Sequence, residues 1–509
     1  MKKLLKILSS RIVILGFLML VQLFILGITI WGLSNYSVYL TSFFTFLSVI
    51  VVIYIVSRYD NPSFKLAWVI TVLLFPVFGG LFYLLFGGNK MRKSLKNIIG
   101  KSFEETKEYL KQDKKVLKYI EKTNKSVYFM AKYIKDFSSY PIHKNTLSKY
   151  FSPGEKFYDE LIKKLKSAKK FIFMEYFIVH EGIMWDTILE ILVSKAKEGL
   201  DIRIIYDDVG CINTLPPKYN KMLESLNIKC VIFNPFIPIL SSVVNNRDHR
   251  KITIIDGNIA FTGGINLADE YINKVVRFGY WKDSAIMIEG EAVWNFTIMF
   301  LQVWSAIAHE EIDYLKYKPE KRFYEKAEGY VQPYGDSPYD GELVGENVYL
   351  NIINKAKEYV YICTPYLIID NELVTALTLA AKGGVDVRII TPHIEDKKYI
   401  HMVTRSYYYQ LINSGIKIYE YTPGFIHSKI FVSDDEVATV GTINLDYRSL
   451  YLHFECGVFL FKTNTVFEIK KDFLETLKKC KQIENEDCKK VKWHTRITRA
   501  ILKVFSPLM

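Results

Sequence analysis

The sequence predicts an α/β protein with two βαβ lobes that form a pseudo-dimer within one chain, preceded by N-terminal transmembrane helices. One observation is that residues 12–57 and 66–89 contain no Asp, Glu, Lys or Arg, which exceeds what a buried helix of a soluble protein requires. The other is an internal repeat with an offset of about 185 residues, in which predicted strands alternate with amphipathic helices.

The N-terminal region is predicted to cross the membrane twice. Apolar runs at residues 12–33 and 41–57 are each long enough for a span, and they are too long for a cleaved signal peptide, the alternative interpretation. A third run, residues 66–88, is interrupted by Pro76 and Gly79. Because positive residues precede the first run and flank the third on both sides, we expect two full spans and then a broken hairpin or interfacial element that returns the chain to the cytoplasm.

The distribution of charge indicates which partner the protein has. The net charge is +13 over 509 residues, with +5 on residues 1–89, +8 on 90–136 and +6 on 489–509, which leaves −6 on residues 137–488. A nucleic-acid-binding protein usually concentrates positive charge on its globular part. Here the positive charge lies beside apolar segments, so we expect anionic membrane lipids as partners and no nucleic acid.

Five regions are predicted: membrane segments 1–89, a basic amphipathic linker 90–136, lobes 137–325 and 326–488, and a basic amphipathic C-terminal helix 489–509. Apolar residues recur at helical intervals in the linker, which suggests helices along the lipid headgroups, with a solvated linker as the alternative. The C-terminal helix either lies on the membrane surface or packs on a lobe.

Six cysteines occur without a CxxC pair, so we expect reduced packing residues and neither a disulfide framework nor a metal.

The internal repeat predicts the core of both lobes. KKFIFMEYFIV (169–179) precedes AKEGLDIRIIYDD (196–208), and EYVYICTPYLI (358–368) precedes AAKGGVDVRIITP (380–392). Each block reads as a buried strand, an amphipathic helix, a glycine turn and a second buried strand. Such βαβ units predict a mainly parallel sheet in each lobe.

A histidine-lysine motif follows the βαβ unit in each lobe. The spacing H-x-K-x4-D-x6-G-[GT]-x-N is the same in both copies, and one such match would be weak whereas two at corresponding places in a repeat are strong. The motif residues are His249, Lys251, Asp256, Gly264 and Asn266 in the first lobe, and His427, Lys429, Asp434, Thr442 and Asn444 in the second.

The motif residues suit phosphoryl chemistry. A two-residue separation places each histidine and lysine on one face of a strand. One histidine is expected to attack phosphorus and form a covalent intermediate, while the other protonates the leaving alkoxide and then activates the acceptor. The lysines and asparagines would stabilise the developing charge without a metal or other cofactor, and the Gly264 and Thr442 positions would let the backbone approach the phosphate.

Four carboxylates accompany the motifs. Asp256 and Asp434 belong to the candidate catalytic set by their motif positions, although a turn-forming role is favoured over direct chemistry. Asp283 and Glu455 each follow the motif histidine of the same lobe by about 30 residues. We expect them to fix the imidazole tautomers, with ordinary surface or ion-pair carboxylates as the alternative.

Taken together, the motifs resemble those of the phospholipase D superfamily and, within it, the bacterial cardiolipin synthases. The resemblance runs from the apolar N-terminus through EYFI (175–178), the two motifs, TPY (364–366) and NLDYRSL (444–450) to the closing SPLM. It implies transfer of a phosphatidyl group from one phosphatidylglycerol to another through a phosphohistidine, giving cardiolipin and glycerol. It also implies His249 as nucleophile and His427 as acid/base, an assignment that the sequence leaves reversible. His453 is a departure, because the family commonly has Asn there.

Two rival functions share these motifs. A membrane-bound hydrolytic phospholipase D or tethered nuclease would use the same histidine pair, but a nuclease calls for a basic groove that the charge of −6 on the globular part disfavours. An inactive membrane scaffold is the second rival, although the motif side chains retain their chemistry-bearing types except for Thr442 in place of Gly264.

Overall fold

The computed structural model describes residues 37–75, 93–236, 245–320, 322–339 and 341–508, together with isolated positions between residues 24 and 87. Apart from such positions, the predicted span 12–33 lies outside the described residues. The helices in the first half of the chain are α1 Ser37–Ser57, α2 Pro62–Leu74, α3 Lys93–Thr106, α4 Lys114–Thr123, α5 Lys125–Ser138, α6 Gly154–Lys166, α7 Ile183–Lys197, α8 Asp208–Cys211 and α9 Tyr219–Ser225. The later helices are α10 Val293–Ala308, α11 Val344–Lys355, α12 Asn371–Lys382, α13 Lys398–Asn413, α14 Tyr447–Tyr451, α15 Asn464–Leu477, α16 Asn485–Lys489 and α17 Trp493–Phe505.

The first lobe is built on a seven-stranded sheet. Its strands are β1 Thr146–Phe151, β2 Phe171–Tyr176, β3 Asp201–Asp207, β4 Lys229–Phe233, β5 Lys251–Ile255, β6 Ile259–Gly263 and β7 Ala285–Gly290. Their spatial order is β1-β7-β6-β5-β2-β3-β4. Only β2, β3 and β4 run parallel, because helical crossovers join them, whereas β5, β6 and β7 form an antiparallel meander that continues to β1.

The second lobe repeats this arrangement in an eight-stranded sheet. Its strands are β8 Tyr330–Asp336, β9 Tyr359–Cys363, β11 Asp386–Pro392, β12 Lys417–Tyr421, β13 Ile430–Ser433, β14 Val437–Gly441, β16 Glu455–Phe461 and β17 Cys480–Ile483. The order is β17-β12-β11-β9-β13-β14-β16-β8, and β10 Leu367–Ile368 pairs separately with β15 Leu445–Asp446. The α/β class and the repeated strand-helix-strand blocks are therefore confirmed. The expected mainly parallel sheets are wrong, since each sheet is mixed.

One buried helix lies between the two sheets. Thirteen of the 16 residues of α10 are buried, and the helix packs against β4, β5, β6 and β7 of the first lobe and β8 of the second. Its sequence VWNFTIMFLQVWSAIA is apolar on every side, as expected for a helix enclosed by the core. The hairpins of the two sheets also meet, since β14 contacts β6 and β7 and β16 contacts β6. The lobes thus share one core.

The basic region before the first lobe forms α3, α4 and α5, as its periodicity indicated. However, Ile99, Ile120, Met130 and Ile134 are buried against the lobes, so these apolar residues do not face lipid headgroups. Helix α3 packs on α10, and α5 packs on α11 and β8. The apolar periodicity of this region therefore reflects packing on the globular part.

The N- and C-terminal helices lie together on the second lobe. Helices α1 and α2 pack on each other through Val51, Ile55, Trp68 and Val72, and Leu508 from the C-terminus contacts the same cluster. Helix α17 packs against α13 and α2, which is the lobe-packing alternative for this helix. Within the described part of the chain, none of the helices combines the length and the apolar character needed to span a bilayer.

Candidate active site

Two backbone bridges between the lobes position the motif histidines. Asp248 pairs with Phe454, and Lys282 pairs with Ile426, each in parallel orientation. As a result, the His249 amide donates to the Phe454 carbonyl at 2.9 Å, and the His427 amide donates to the Lys282 carbonyl at 2.7 Å. Each motif histidine therefore lies next to the chain of the opposite lobe.

This arrangement pairs each histidine with a buried carboxylate of the other lobe. The Nδ1 atom of His249 lies 2.8 Å from Oε1 of Glu455, and Nδ1 of His427 lies 2.7 Å from Oδ2 of Asp283. Both carboxylates are fully buried. These are the two acids that the sequence indicated, and each contacts the motif histidine of the other lobe and not that of its own. Because both rings use Nδ1 for this contact, Nε2 is the nitrogen that remains for a substrate.

Gly264 and Thr442 lie behind these carboxylates. A Cβ atom at Gly264 would come within 2.1 Å of Oδ1 of Asp283, so only glycine leaves room for that side chain. At the corresponding position, the Thr442 hydroxyl donates a very short hydrogen bond to Oε2 of Glu455. The two motifs therefore differ at this position because their acids differ: Gly264 leaves room for Asp283, whereas Thr442 donates to Glu455. In the structure, both positions support the histidine partners and not a phosphate directly.

The motif lysines are buried beside the histidines. Nζ of Lys251 donates to the carbonyl of His249 at 2.5 Å, and Nζ of Lys429 makes the same contact with His427. Burial lowers the pKa of Lys251 to about 7 and that of Lys429 to about 8. Glu455 opposes the shift of Lys251, and Asp283 opposes that of Lys429. These lysines contribute positive charge at the base of the site.

Both motif histidines line one cavity of about 440 Å³. Burial, followed by the charge of Lys429, lowers the pKa of His427 to about 4. Burial and then Lys251 lower the pKa of His249 well below its usual value. The cavity wall also carries cations that the sequence did not single out, namely Arg247, Arg277, Lys397 and Arg448. Aromatic rings surround the His427 side, with Trp281 and Tyr271 at centroid distances of 5.4 and 5.6 Å.

The two motif asparagines differ in their contacts. Oδ1 of Asn266 accepts from the Ile178 amide at 3.1 Å, and its Nδ2 donates to the Tyr271 hydroxyl at 2.7 Å. Oδ1 of Asn444 is buried and has no hydrogen-bond partner among the described residues. Both side chains line the cavity with the histidines. Asn444 is therefore the asparagine whose oxygen remains available to a ligand hydroxyl.

Asp256 and Asp434 lie away from the histidines, in the turns at the far ends of β5 and β13. Each has a left-handed backbone, with φ of 53° and 54°. The Asp256 carboxylate accepts from three amides of residues 169–171, and Asp434 accepts from three amides of residues 357–359. These contacts match the turn-forming interpretation, and they hold the start of β2 and β9 in place.

A third imidazole, that of His453, borders the cavity. Its ring centroid lies 5.6 Å from that of His249, and its Nδ1 is 3.9 Å from Oε1 of Glu455. His249, His453 and Glu455 place potential metal-ligating atoms within 4.8 Å of one another. However, Lys251 and Arg448 lie close enough to lower the pKa of His453, after burial as the main cause, and the same charges oppose a bound cation. The site is better suited to an anion.

Comparisons with known proteins agree with this geometry. The chain matches the family described as "Cardiolipin synthase, PLD-like domain" over residues 161–292 and 349–477, and "Phospholipase_D-nuclease N-terminal" over residues 46–88. It is 33% identical over 483 residues to a "Cardiolipin synthase" of Halalkalibacterium halodurans, covering 94% of this chain and 95% of the relative. It is 34% identical to "Cardiolipin synthase 2" of Bacillus cereus, covering 88% and 87% of the two chains.

Two further relatives extend the comparison. An uncharacterized protein of Streptococcus mutans is 45% identical over 458 residues, which span 90% of this chain and 99% of the relative. The crystal structure of phosphatidylserine synthase from Haemophilus influenzae shares the fold, with a TM-score of 0.55 at 15% identity, covering 74% of this chain and 97% of that one. With its duplicated motif and its matches along nearly the whole length, the chain belongs to the cardiolipin synthase family of phospholipase D-like proteins.

Proposed function

We propose that the protein is a cardiolipin synthase, a phosphatidyltransferase that uses phosphatidylglycerol as both donor and acceptor. Family membership supports this activity, because two named relatives that share a third of their residues with the chain are cardiolipin synthases. The observation that carries the proposal is the convergence of His249 and His427, one from each lobe, on one cavity with a carboxylate at each Nδ1. This arrangement suits nucleophilic catalysis on a phosphodiester.

The first step forms the covalent intermediate. Nε2 of one motif histidine attacks phosphorus, the N–P bond forms, and the bond from phosphorus to the glycerol oxygen breaks. The second imidazole, as imidazolium, gives its proton to the leaving alkoxide. Burial disfavours that protonated form, but an anionic phosphodiester between the rings would favour it. By resemblance to the family, His249 is the nucleophile and His427 the acid.

The second step reverses the roles. The now neutral acid/base imidazole takes the proton from the glycerol hydroxyl of a second phosphatidylglycerol while its oxygen bonds to phosphorus and the N–P bond breaks. The products are cardiolipin and a free enzyme. Glu455 and Asp283 would hold the Nδ1 protons of the rings, and the lysines with Asn266 and Asn444 would stabilise the phosphoryl oxygens. A buried site also limits access of water, the competing acceptor.

Membrane attachment is part of the proposal. We infer an integral bacterial plasma-membrane protein with spans in region 1–89 and with its catalytic lobes, 137–325 and 326–488, on the cytoplasmic side. Exposed apolar side chains on α1, including Phe43, Phe46 and Ile53, support a lipid-facing surface. The cationic segments 90–136 and 489–509 suit the anionic leaflet that contains the substrate.

The function can be tested with the purified full-length protein in mixed micelles that contain phosphatidylglycerol labelled in its headgroup glycerol and in its acyl chains. We expect cardiolipin and free glycerol in equal amounts. His249→Ala and His427→Ala should each lower the rate by about four orders of magnitude, as for loss of a nucleophile or an acid/base partner. Wild-type protein quenched in denaturing detergent at neutral pH during a single turnover should carry a phosphatidyl adduct that is then lost on treatment with acid.

The assay separates the rival functions. Phosphatidic acid with glycerol, and no cardiolipin, would identify a hydrolytic phospholipase D. Unchanged lipid would indicate a scaffold, and cleavage of nucleic acid in a parallel incubation would indicate a nuclease. Cardiolipin formation at the wild-type rate by either alanine variant would contradict the two-histidine mechanism. His180→Ala, which changes a histidine outside the cavity lining, is the matched control.

A further inference from the structure

A second cavity lies beside the one that holds the motif histidines. It encloses about 540 Å³ between the loop at residues 58–61, the start of α11 and the end of α14. Among the lining residues that the structure describes, His453 is the one common to both cavities. The two spaces therefore meet at this imidazole.

The second cavity is more acidic than the first. Five acidic side chains line it, namely Asp60, Asp336, Glu342, Glu346 and Glu372, whereas the first cavity combines four cations with Glu270, Asp396 and Asp446. The cation of this lining, Arg58, is paired with Asp60 at 2.7 Å. Carboxylates repel a phosphodiester, but they bind hydroxyl groups well as hydrogen-bond acceptors. The second cavity thus disfavours the anionic lipid headgroup and suits a small neutral polyol.

Two buried side chains of this cavity contain polar atoms without a hydrogen-bond partner. Neither ring nitrogen of His453, nor Oε2 of Glu346, has a hydrogen-bond partner in the described part of the chain. The His453 side chain is 10% exposed, and Glu346 is 3% exposed. Leaving such atoms without a partner is unfavourable, so they favour a ligand that supplies the missing hydrogen bonds.

The protonation states of these groups match a hydroxyl. Burial, followed by its hydrogen bond with Asp370, raises the pKa of Glu346 to about 9, so at neutral pH this side chain is a carboxylic acid whose proton is held by Asp370 and whose Oε2 remains an acceptor. Burial lowers the pKa of His453 well below its usual value, so the neutral ring offers one donor and one acceptor. A hydroxyl group donates and accepts, and therefore complements both.

We propose that this second cavity binds free glycerol and that glycerol passes His453 on its way to and from the reacting phosphate. The inference rests on the proposed function, whose first step releases glycerol. In the reverse direction, the hydroxyl of bound glycerol gives its proton to the acid/base imidazole while its oxygen bonds to phosphorus and the N–P bond breaks. That reaction regenerates phosphatidylglycerol, so the enzyme exchanges free glycerol into its donor lipid.

The exchange provides the test. Full-length protein in mixed micelles of unlabelled phosphatidylglycerol is incubated with radiolabelled glycerol at increasing concentration, and label in phosphatidylglycerol is measured. Wild-type exchange should saturate with glycerol. Glu346→Leu, which lies outside the histidine cavity, should raise the half-saturating glycerol concentration about tenfold, equivalent to about 1.4 kcal/mol. The half-saturating phosphatidylglycerol concentration should not rise with it. His453→Phe should raise the half-saturating glycerol concentration as well.

The control is Glu320→Leu, because Glu320 is an exposed carboxylate that lines a different cavity in the first lobe. It should leave both half-saturation values at those of wild type. An unchanged glycerol value in Glu346→Leu, or an equal rise for glycerol and lipid, would overturn the glycerol site while leaving cardiolipin synthesis in place. A wild-type protein that forms neither cardiolipin nor labelled phosphatidylglycerol would instead overturn the proposed function, and the glycerol site with it.

Discussion

At the scale of single residues, each motif histidine contacts a carboxylate of the other lobe. Either lobe considered alone would not show this pairing. His249 and Glu455 are 206 residues apart in the chain, yet their side chains are within hydrogen-bond distance. His427 and Asp283 make the equivalent contact. The carboxylates stabilise the Nδ1–H tautomer and therefore make Nε2 the reactive nitrogen. Each acid should consequently affect the step of the histidine that it contacts.

Glu455→Gln and Asp283→Asn test these pairings. Each change keeps the side-chain shape but removes the charge at Nδ1, so we expect a rate loss of about 10²–10⁴, by analogy with other orienting carboxylates. Rapid quenching in denaturing detergent at neutral pH should show slower adduct formation when the changed carboxylate contacts the nucleophilic histidine, and slower adduct breakdown for the other variant. Glu160→Gln removes a surface ion pair with Lys149 and should have little effect. Each acid variant could instead slow the step of the histidine in its own lobe. In that case the contacts between the lobes would have no functional role.

The buried histidines also predict a dependence of stability on pH. The folded-state pKa of His427 is about 4, below the unfolded value of about 6.5. Between these values the unfolded chain binds a proton that the native site does not, so stability falls as pH decreases from about 6.5 to about 4. Protonation of one group with this difference in pKa lowers the free energy of unfolding by about 3 kcal/mol at most. In His427→Asn, the decrease in unfolding temperature from pH 7 to pH 5 should therefore be smaller than in wild type.

Thermal unfolding in detergent, followed by tryptophan fluorescence, measures this difference. His494→Asn changes an exposed histidine of α17 and should keep the wild-type dependence on pH. Parallel curves for wild type and His427→Asn across pH 5–7 would show that the buried imidazole does not resist protonation in the folded state.

At the scale of secondary-structure elements, the turn aspartates connect the motif strand to the βαβ unit. Asp256 ends β5 and binds the amides that begin β2, and Asp434 does the same for β13 and β9. A positive φ is tolerated by Asp and Asn better than by most other residues. These aspartates therefore fix the register of neighbouring strands and, through them, the position of the histidine at the opposite end of each motif strand.

Asp256→Ala and Asp434→Ala should lower the free energy of unfolding by about 1–3 kcal/mol, because each leaves backbone amides without their acceptor. The folded fraction should retain a rate far above that of His249→Ala or His427→Ala. Asp256→Asn keeps one acceptor oxygen and the turn preference, so it should be less destabilised than Asp256→Ala. A rate loss as large as that of the histidine variants, in protein with wild-type stability, would assign the aspartates to the chemistry.

The elements also show which features a sequence reveals. Strands β2, β3, β9 and β11 were predictable because their apolar runs, intervening helices and glycine turns are local signals. The mixed sheets were missed because strand direction after the βαβ unit depends on the short turns at Asp256 and Asp434 and on edge strands β1 and β8. The crossed acid pairs depend on bridges at Asp248 and Lys282. No local pattern encodes contacts between such distant segments.

At the scale of the whole molecule, the two lobes have the symmetry of a dimer but belong to one chain. Helix α10 and the meeting hairpins bury the surface between the lobes, and each lobe supplies one histidine and the carboxylate for the other. A single chain therefore contains both halves of the site. This differs from a dimeric enzyme, in which two copies of one motif must associate to form the site.

Mixing inactive variants tests whether the site is complete within one chain. His249→Ala and His427→Ala each lack one imidazole, and the shared core prevents exchange of lobes between folded chains. We therefore expect a mixture of the two purified variants in the same micelles to show no more cardiolipin synthesis than either alone. Each variant mixed with wild type should leave the activity proportional to the amount of wild type. Recovery of activity in the variant mixture would mean that lobes from different chains combine, and it would require an intermolecular site in place of the closed pseudo-dimer.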